Sequence, residues 1–264
     1  MKDKILTILV TGADGQLGNE LKVLDTTFMY CQFLFVSKEE LDITDIYSLT
    51  KYFEGHSIDF CINCAAYTAV DKAESEKEMA FLINGEAVAT LAKVCAKNKT
   101  QLIHISTDYV FDGTAKQPYK ETDKTCPVSV YGQSKLQGEE LAMQQAPSSI
   151  IIRTSWLYSS YKNNFVKTMF RLMKEKESIN VVSDQVGSPT YAADLALAIM
   201  RIIKSKKSKL NPGIYHYTNA GITNWYEFAV AIKKITGSNC AVNPITTAQY
   251  PTAAKRPAYS VLDT

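Results

Sequence analysis

A chain of 264 residues with 46% hydrophobic content has the length for one large α/β domain or two small ones, and the apolar mass for a substantial core. Lys plus Arg (29) nearly balance Asp plus Glu (27), a formal charge of +2, so neither nucleic acid nor a membrane surface is indicated as a partner. The run Lys204-Ser205-Lys206-Lys207-Ser208-Lys209 reads as a solvated helix end. The apolar run after Met1-Lys2-Asp3-Lys4 is too short for a signal-peptide core, and no stretch is read as the ~18 apolar residues of a membrane span. Both readings point to a cytoplasmic protein.

In chain order, Ile5–Thr11 is an uncharged apolar run and predicts a buried strand. Gly12 to Gly18 follow, then a helical stretch carrying Leu17, Leu21 and Leu24. Gln32–Val36 is a second strand, and Ile46, Leu49, Tyr52 and Phe53 form a helical face. Ile58–Ala65 predicts a third strand, Ala80–Lys97 a long helix, Leu102–Ser106 a fourth strand. A helix around Tyr131 and a fifth strand, Ile150–Thr154, come next. Strands without alternation, separated by helices, predict a parallel sheet covered on both faces. With glycines in the first strand-to-helix turn, the expected fold class is α/β, a Rossmann-type doubly wound parallel sheet. Further on, Phe165–Lys174 and Ala192–Ile203 read as helices, Gly213–Thr218 as a strand and Trp225–Ile235 as a helix. The expected division is a dinucleotide-binding domain over 1–158, with 191–222 returning to its sheet, and a smaller C-terminal substrate lobe from 159–190 and 223–264.

Six cysteines are present. Cys61-Ile62-Asn63-Cys64 has redox or zinc spacing, but in a strand residues three apart face opposite ways, and no second pair accompanies it. Core packing is therefore expected. His56, His104 and His216 form no constellation, and His104, inside an apolar strand, reads as a satisfied core histidine. No metal ligand set is visible.

Gly12, Gly15 and Gly18 permit a tight turn and close approach of backbone to phosphate, and the helix they open would point free N–H groups at a pyrophosphate. About 20 residues on, Val36-Ser37-Lys38-Glu39-Glu40 offers either an acidic partner for a ribose hydroxyl or Lys38 for a 2′-phosphate. Lys38 reads equally as an exposed lysine, so NADH and NADPH both stand. Tyr131 and Lys135, at i and i+4, share a helix face. A free tyrosine titrates near ~10, too high for efficient proton exchange at neutral pH, and a neighbouring ammonium is expected to lower that value. Ser106 and Thr107 follow the fourth strand, at the carboxyl end where ligands of open parallel sheets bind. There Thr107 could hydrogen-bond a substrate carbonyl oxygen, with Ser106 structural. Together these residues describe a carbonyl reductase.

The sequence resembles the extended short-chain dehydrogenases/reductases and, within them, the dTDP-4-dehydrorhamnose reductases. The resemblance rests on Thr11 to Gly18, Leu41 to Asp45, Asn63 to Asp71, Ser106 to Gly113, Tyr131 to Lys135, Arg153 to Tyr158, Asp184 to Thr190 and Arg256-Pro257. It implies NAD(P)H-dependent reduction of the C4 keto group of a dTDP-linked 4-keto-6-deoxy-L-sugar, giving dTDP-L-rhamnose for polysaccharide biosynthesis. It further implies that Gly15, Gln16 and Leu17 contact the pyrophosphate, that Asp42 and Ile43 border the adenine, and that Ala65, Ala66 and Tyr67 line the dinucleotide cleft. Tyr131 would be the proton donor, and Lys135 would tune it and hold the nicotinamide ribose. Thr107 and Asp108 would face the sugar and Trp156 would cover it. Members of the family usually continue into another helix after the Arg-Pro pair, whereas this sequence ends at Thr264. Some form a metal-bridged dimer through acidic residues that the sequence here does not offer, so no metal is expected, while a homodimer of another kind is left open. The rival readings are another nucleotide-sugar enzyme, such as an epimerase or dehydratase, and a non-catalytic regulatory subunit of methionine adenosyltransferase type.

Overall fold

The computed structural model describes residues 5–205 and 211–264. Residues 206–209 of the lysine run, and Met1 to Lys4, lie outside them. Six parallel strands make the central sheet: β1 (Leu6–Thr11), β2 (Cys31–Val36), β3 (Phe60–Asn63), β4 (Gln101–Thr107), β5 (Ile150–Thr154) and the later Gly213–His216. Their spatial order is β2-β1-β3-β4-β5 and then Gly213–His216. Ile8, Leu9 and Val10 are all fully buried, which is why β1 shows no alternation: both faces are covered. On one face lie the Ile46–Gly55, Ala87–Lys97 and Val130–Gln145 helices; on the other lie α1 (Gln16–Leu24) and the Ala192–Lys204 helix. The sheet is thus doubly wound, and the winding reverses between β1 and β3, the point where such sheets open a crevice.

Two elements differ from the sequence reading in ways that bear on the site. The third strand runs only Phe60–Asn63, because the chain leaves the sheet at Cys64 to pass the glycine turn. The long helix begins at Lys77 and contains a π-helical turn, Leu82–Glu86, before Ala87–Lys97. By length and hydropathy the whole Lys77–Lys97 segment passes as a membrane span, half of it buried inside the fold. The sequence reading did not register that span. Its apolar side, Val88, Leu91, Ala92 and Cys95, packs in the sheet core, as the core helix of a doubly wound sheet does.

Helix ends are set locally. Ser129 accepts from the N–H of Gly132, Asn164 from Lys167 and Asn224 from Glu227, each an N-cap side chain satisfying a free donor. A second, smaller core gathers Met169, Met173, Ile179, Val181, Ala229 and Ile232. Its sheet pairs Ser178–Val182 with Ala241–Ile245 in parallel. Neither strand was anticipated: each is half exposed, and their pairing joins segments some sixty residues apart. The final residues cross back over the main body, where Tyr119 donates to Val261 O at 2.8 Å, Asp263 donates to Tyr119 O at 2.8 Å, and Arg256 pairs with Asp71 at 2.7 Å.

Candidate active site

The carboxyl ends of β1, β3, β4 and β5 converge on a cleft of about 780 Å³. Gly15, Gln16, Leu17, Ala66, Thr107, Asp108, Tyr131, Lys135 and Trp156 all line it. Gly12 and Gly18 stand behind its wall. Gly12 has a left-handed φ of +63°, and a Cβ there would lie 2.5 Å from Ala65 N; a Cβ on Gly18 would lie 2.6 Å from the Ala13 backbone. Both glycines therefore allow chain segments to touch. Gly15 caps α1, whose first turn opens toward the cleft. Ala65 donates to Asn63 Oδ1 at 3.2 Å.

Lys38, Asp42, Ile43, Ala65 and Tyr67 do not line the cleft. Lys38 is exposed beyond the end of β2. Asp42 Oδ1 accepts from the N–H and hydroxyl of Thr44, and Ile43 is buried in the core. The Tyr67 backbone is clamped by Asn84, which accepts from its N–H at 2.8 Å and donates to its carbonyl at 3.0 Å, while the Tyr67 hydroxyl donates to Glu76. Asn84 comes from the π turn and also donates to Ser134 Oγ at 3.0 Å. This irregular helix thereby fixes both the segment that follows Ala66 and the Tyr131 helix.

Tyr131 and Lys135, one helical turn apart, have different immediate partners. Lys135 Nζ donates to Ile105 O at 2.6 Å and lies 3.4 Å from His104 Nε2. Its stem reaches back to the sheet, while the residue still lines the cleft. Burial pushes the Tyr131 phenol up to about 12, a hydrogen bond with Thr107 pulls it down, and the Asp108 charge pushes it up. Tyr131 is thus a firm holder of its proton at neutral pH rather than an activated phenolate. Burial likewise pushes Lys135 down to about 8, opposed by Glu139 and Cys64. Asp108, pushed up to about 6 by burial, is drawn back down by the hydroxyls of Ser260 and Thr107.

Ser106 is structural, as expected: its hydroxyl bonds Glu139, which is forked by Arg153 at 3.0 and 2.7 Å. Both members of that ion pair are about 2% exposed. The reading of the cysteines needs revision at one position. Cys61 packs in one core and Cys64 against the other, and Cys64 is also among the residues that line the cleft.

Trp156 carries a φ of +47°, uncommon for a bulky side chain. Its ring lies 3.5 Å from that of Trp225, at 10°. A Cβ on Gly187 would come within 2.6 Å of the indole, so the Asp184 to Thr190 stretch serves as the floor for Trp156. Trp225, Phe165 and Tyr109 also line the cleft and were not anticipated. Tyr109 meets the Tyr131 ring edge-on at 5.6 Å. Trp225 and Phe165 sit at the first turn of amphipathic helices and read only as core; Tyr109 lay within the Ser106 to Gly113 motif without a role.

Among relatives, the chain is 44% identical over 267 residues to a dTDP-4-dehydrorhamnose reductase of Aggregatibacter actinomycetemcomitans, covering 97% of this chain and 90% of that protein. It is 44% identical over 255 residues to a spore coat polysaccharide biosynthesis protein of Bacillus subtilis strain 168, covering 97% and 88%. The crystal structure of dTDP-4-dehydrorhamnose reductase from Bacillus anthracis, in complex with NADP, superposes with a TM-score of 0.94 at 40% identity, covering 98% and 90%. A family model described as the RmlD substrate binding domain matches residues 6–264, and the chain belongs to that family.

Proposed function

We propose that this protein is an NAD(P)H-dependent oxidoreductase that reduces the C4 keto group of a dTDP-4-dehydro-6-deoxy-L-sugar to give dTDP-L-rhamnose. One observation carries the reading: a single cleft gathers Tyr131, Thr107 and Lys135 beneath an indole, at the carboxyl ends of a doubly wound sheet, in a chain 44% identical to a named reductase. The residues present fit a dinucleotide. Gly12 and Gly18 keep the turn against its neighbours without side chains, and α1 opens toward the cleft. When bound, the dihydronicotinamide supplies the hydride.

Gly15, Gln16 and Leu17 hold the pyrophosphate with backbone donors. Ala66 lines that crevice, with Ala65 and Tyr67 beside it in the chain and Asp42 and Ile43 toward the adenine end. Lys38 favours NADPH. It is exposed past β2, whereas the acidic alternative, Glu40, is engaged by the Ser37 N–H at 2.7 Å. Thr107 and Tyr131 take the sugar's C4 oxygen. Tyr131, protonated at neutral pH, delivers its proton as hydride reaches C4. Lys135 holds the nicotinamide ribose, and Asp108 Oδ1 accepts from the Thr107 hydroxyl at 3.0 Å until that hydroxyl turns to the sugar oxygen. Trp156 covers the sugar with an apolar face.

A second cavity of about 680 Å³ shares Tyr109, Phe165 and Trp225 with the first and continues past Arg256. It suits the nucleoside diphosphate arm, with the sheet carrying the dinucleotide and residues 159–190 and 223–264 forming the substrate lobe. The test is a coupled assay in which the keto sugar is generated in place and NADPH or NADH absorbance is followed. Stoichiometric loss of the reduced cofactor is expected, faster with NADPH. Sugar conversion without net cofactor consumption would make the protein an epimerase and overturn the reading.

A further inference from the structure

The group behind Lys135 is His104, fully buried in β4. Its protonation follows from counting donors and acceptors. Asn63 Oδ1 accepts from the Thr11 hydroxyl at 2.7 Å and from the Ala65 N–H at 3.2 Å. A backbone N–H only donates, so the amide oxygen must lie on that side and the amide NH₂ on the other. That NH₂ stands 3.0 Å from His104 Nδ1. It has only hydrogens to offer, so Nδ1 must present a lone pair. A neutral imidazole with a bare Nδ1 carries its proton on Nε2. That Nε2–H faces Lys135 Nζ at 3.4 Å. An ammonium meets it donor against donor, whereas a neutral amine accepts from it. Ile105 O, at 2.6 Å, accepts from either form.

We propose that His104 is a positioning residue for Lys135: pinned by Asn63 in one tautomer, it stabilises the uncharged amine and so sets how readily Lys135 yields a proton. This rests on the reductase reading, in which Tyr131 becomes a phenolate after each turnover. The Lys135 ammonium then returns a proton to that phenolate, giving amine and phenol, and recovers its own proton from water. The other groups facing Lys135 are accounted for. Glu139, one turn along the same helix, pulls it toward the charged form but is held by Arg153 and Ser106. Cys64, at the end of β3, is kept a thiol by burial. Tyr131 and Asp108 stand on the cleft side. His104 itself is held far below its ordinary value by burial and by Lys135, consistent with a neutral ring.

The first measurement is ¹⁵N NMR of His104 in the intact wild-type protein. A protonated Nε2 and bare Nδ1 at neutral pH are expected; the opposite tautomer or an imidazolium overturns the proposal. The second follows ¹³Cε-lysine through a pH titration, with Lys135 assigned by its loss in Lys135→Met. His104→Asn keeps an acceptor for Asn63 but loses the donor against Lys135, and its Lys135 midpoint should rise by roughly one unit, the size of one buried hydrogen bond. His104→Gln retains an N–H near the Nε2 position and should stay closer to wild type. The alkaline limb of kcat/KM for reduction should move in step. A folded His104→Asn with an unmoved Lys135 midpoint overturns the proposal. Neither NMR readout needs turnover, so a protein that titrates as described yet consumes no NAD(P)H refutes the reductase reading and leaves the His104 assignment standing.

Discussion

The proposed proton donor of this cleft is a side chain that its surroundings do not perturb toward the phenolate. Tyr131 is held protonated, up to about 12, by burial beside Tyr109 and Asp108. A reductase in the forward direction needs a donor that is loaded at neutral pH. Tyr131→Phe should therefore lower turnover by ~10²–10⁴-fold, while NADPH affinity, read by cofactor fluorescence, stays within about twofold, since removing one hydroxyl spares the pyrophosphate contacts. Unchanged turnover would remove Tyr131 from the mechanism. Asp108 yields a prediction about stability. Its folded-state value, about 6, lies above the ordinary ~3.9, so folding favours its protonated form. Its contribution is full below about pH 4 and is lost as pH rises through about 6. Asp108→Asn should flatten the pH dependence of the urea midpoint between pH 4 and 6 relative to wild type. Parallel curves for the two proteins would show that the carboxyl is not strained by burial.

At the scale of elements, the helix carrying Tyr131 and Lys135 is placed by glycines whose role only the structure reveals. A Cβ on Gly138 would lie 2.0 Å from Asn84 O, and one on Gly132 would lie 2.2 Å from Tyr109 O. Both neighbours are backbone, so the helix itself would have to move. Gly138→Ala should cost about 1–3 kcal/mol despite the better helix propensity of alanine, and turnover should fall with it as Tyr131 shifts. Gly55→Ala, with nothing within 4 Å, is the control and should be neutral or stabilising. Thermal melts of the two variants decide the matter; equal melting temperatures would refute the close packing. The sheet strands were legible in the sequence because burial on both faces erases alternation, as at Ile8, Leu9 and Val10. So were the positions of Gly12 and Thr107 at strand ends and of Tyr131 and Lys135 one turn apart on a helix, since these are local properties. The route of the Lys135 stem was not legible, because it depends on Ile105 O and His104, thirty residues away in the chain. The strand pair Ser178–Val182 and Ala241–Ile245 escaped for the same reason, and Trp225 read as an ordinary core residue of its helix.

Across the whole molecule, two cores meet at an aromatic seam. The main sheet contributes Trp156, just past β5, and the smaller core contributes Trp225. The tail from Ala254 to Asp263 ties the two sides together: it contacts Asp71, Gly113 and Tyr119 of the main body and pairs with Val186 of the smaller lobe. The two indoles stack at 3.5 Å and are the only tryptophans in the chain. A sugar ring cannot lie against the Trp156 face that Trp225 occupies. Covering the substrate with that face therefore requires the stack to part, and Gly187 leaves Trp156 no room to retreat, so the movement falls to Trp225 and its helix. Tryptophan fluorescence, excited selectively over tyrosine, reports on this seam alone. Binding of a dTDP-sugar should change the emission of the wild type, and Trp225→Phe should abolish most of that change while preserving binding measured by calorimetry. Trp156→Phe should instead raise KM, since it removes the covering face. An emission spectrum that stays constant at calorimetric saturation would mean that the stacked pair persists in the complex and that the sugar is covered from elsewhere.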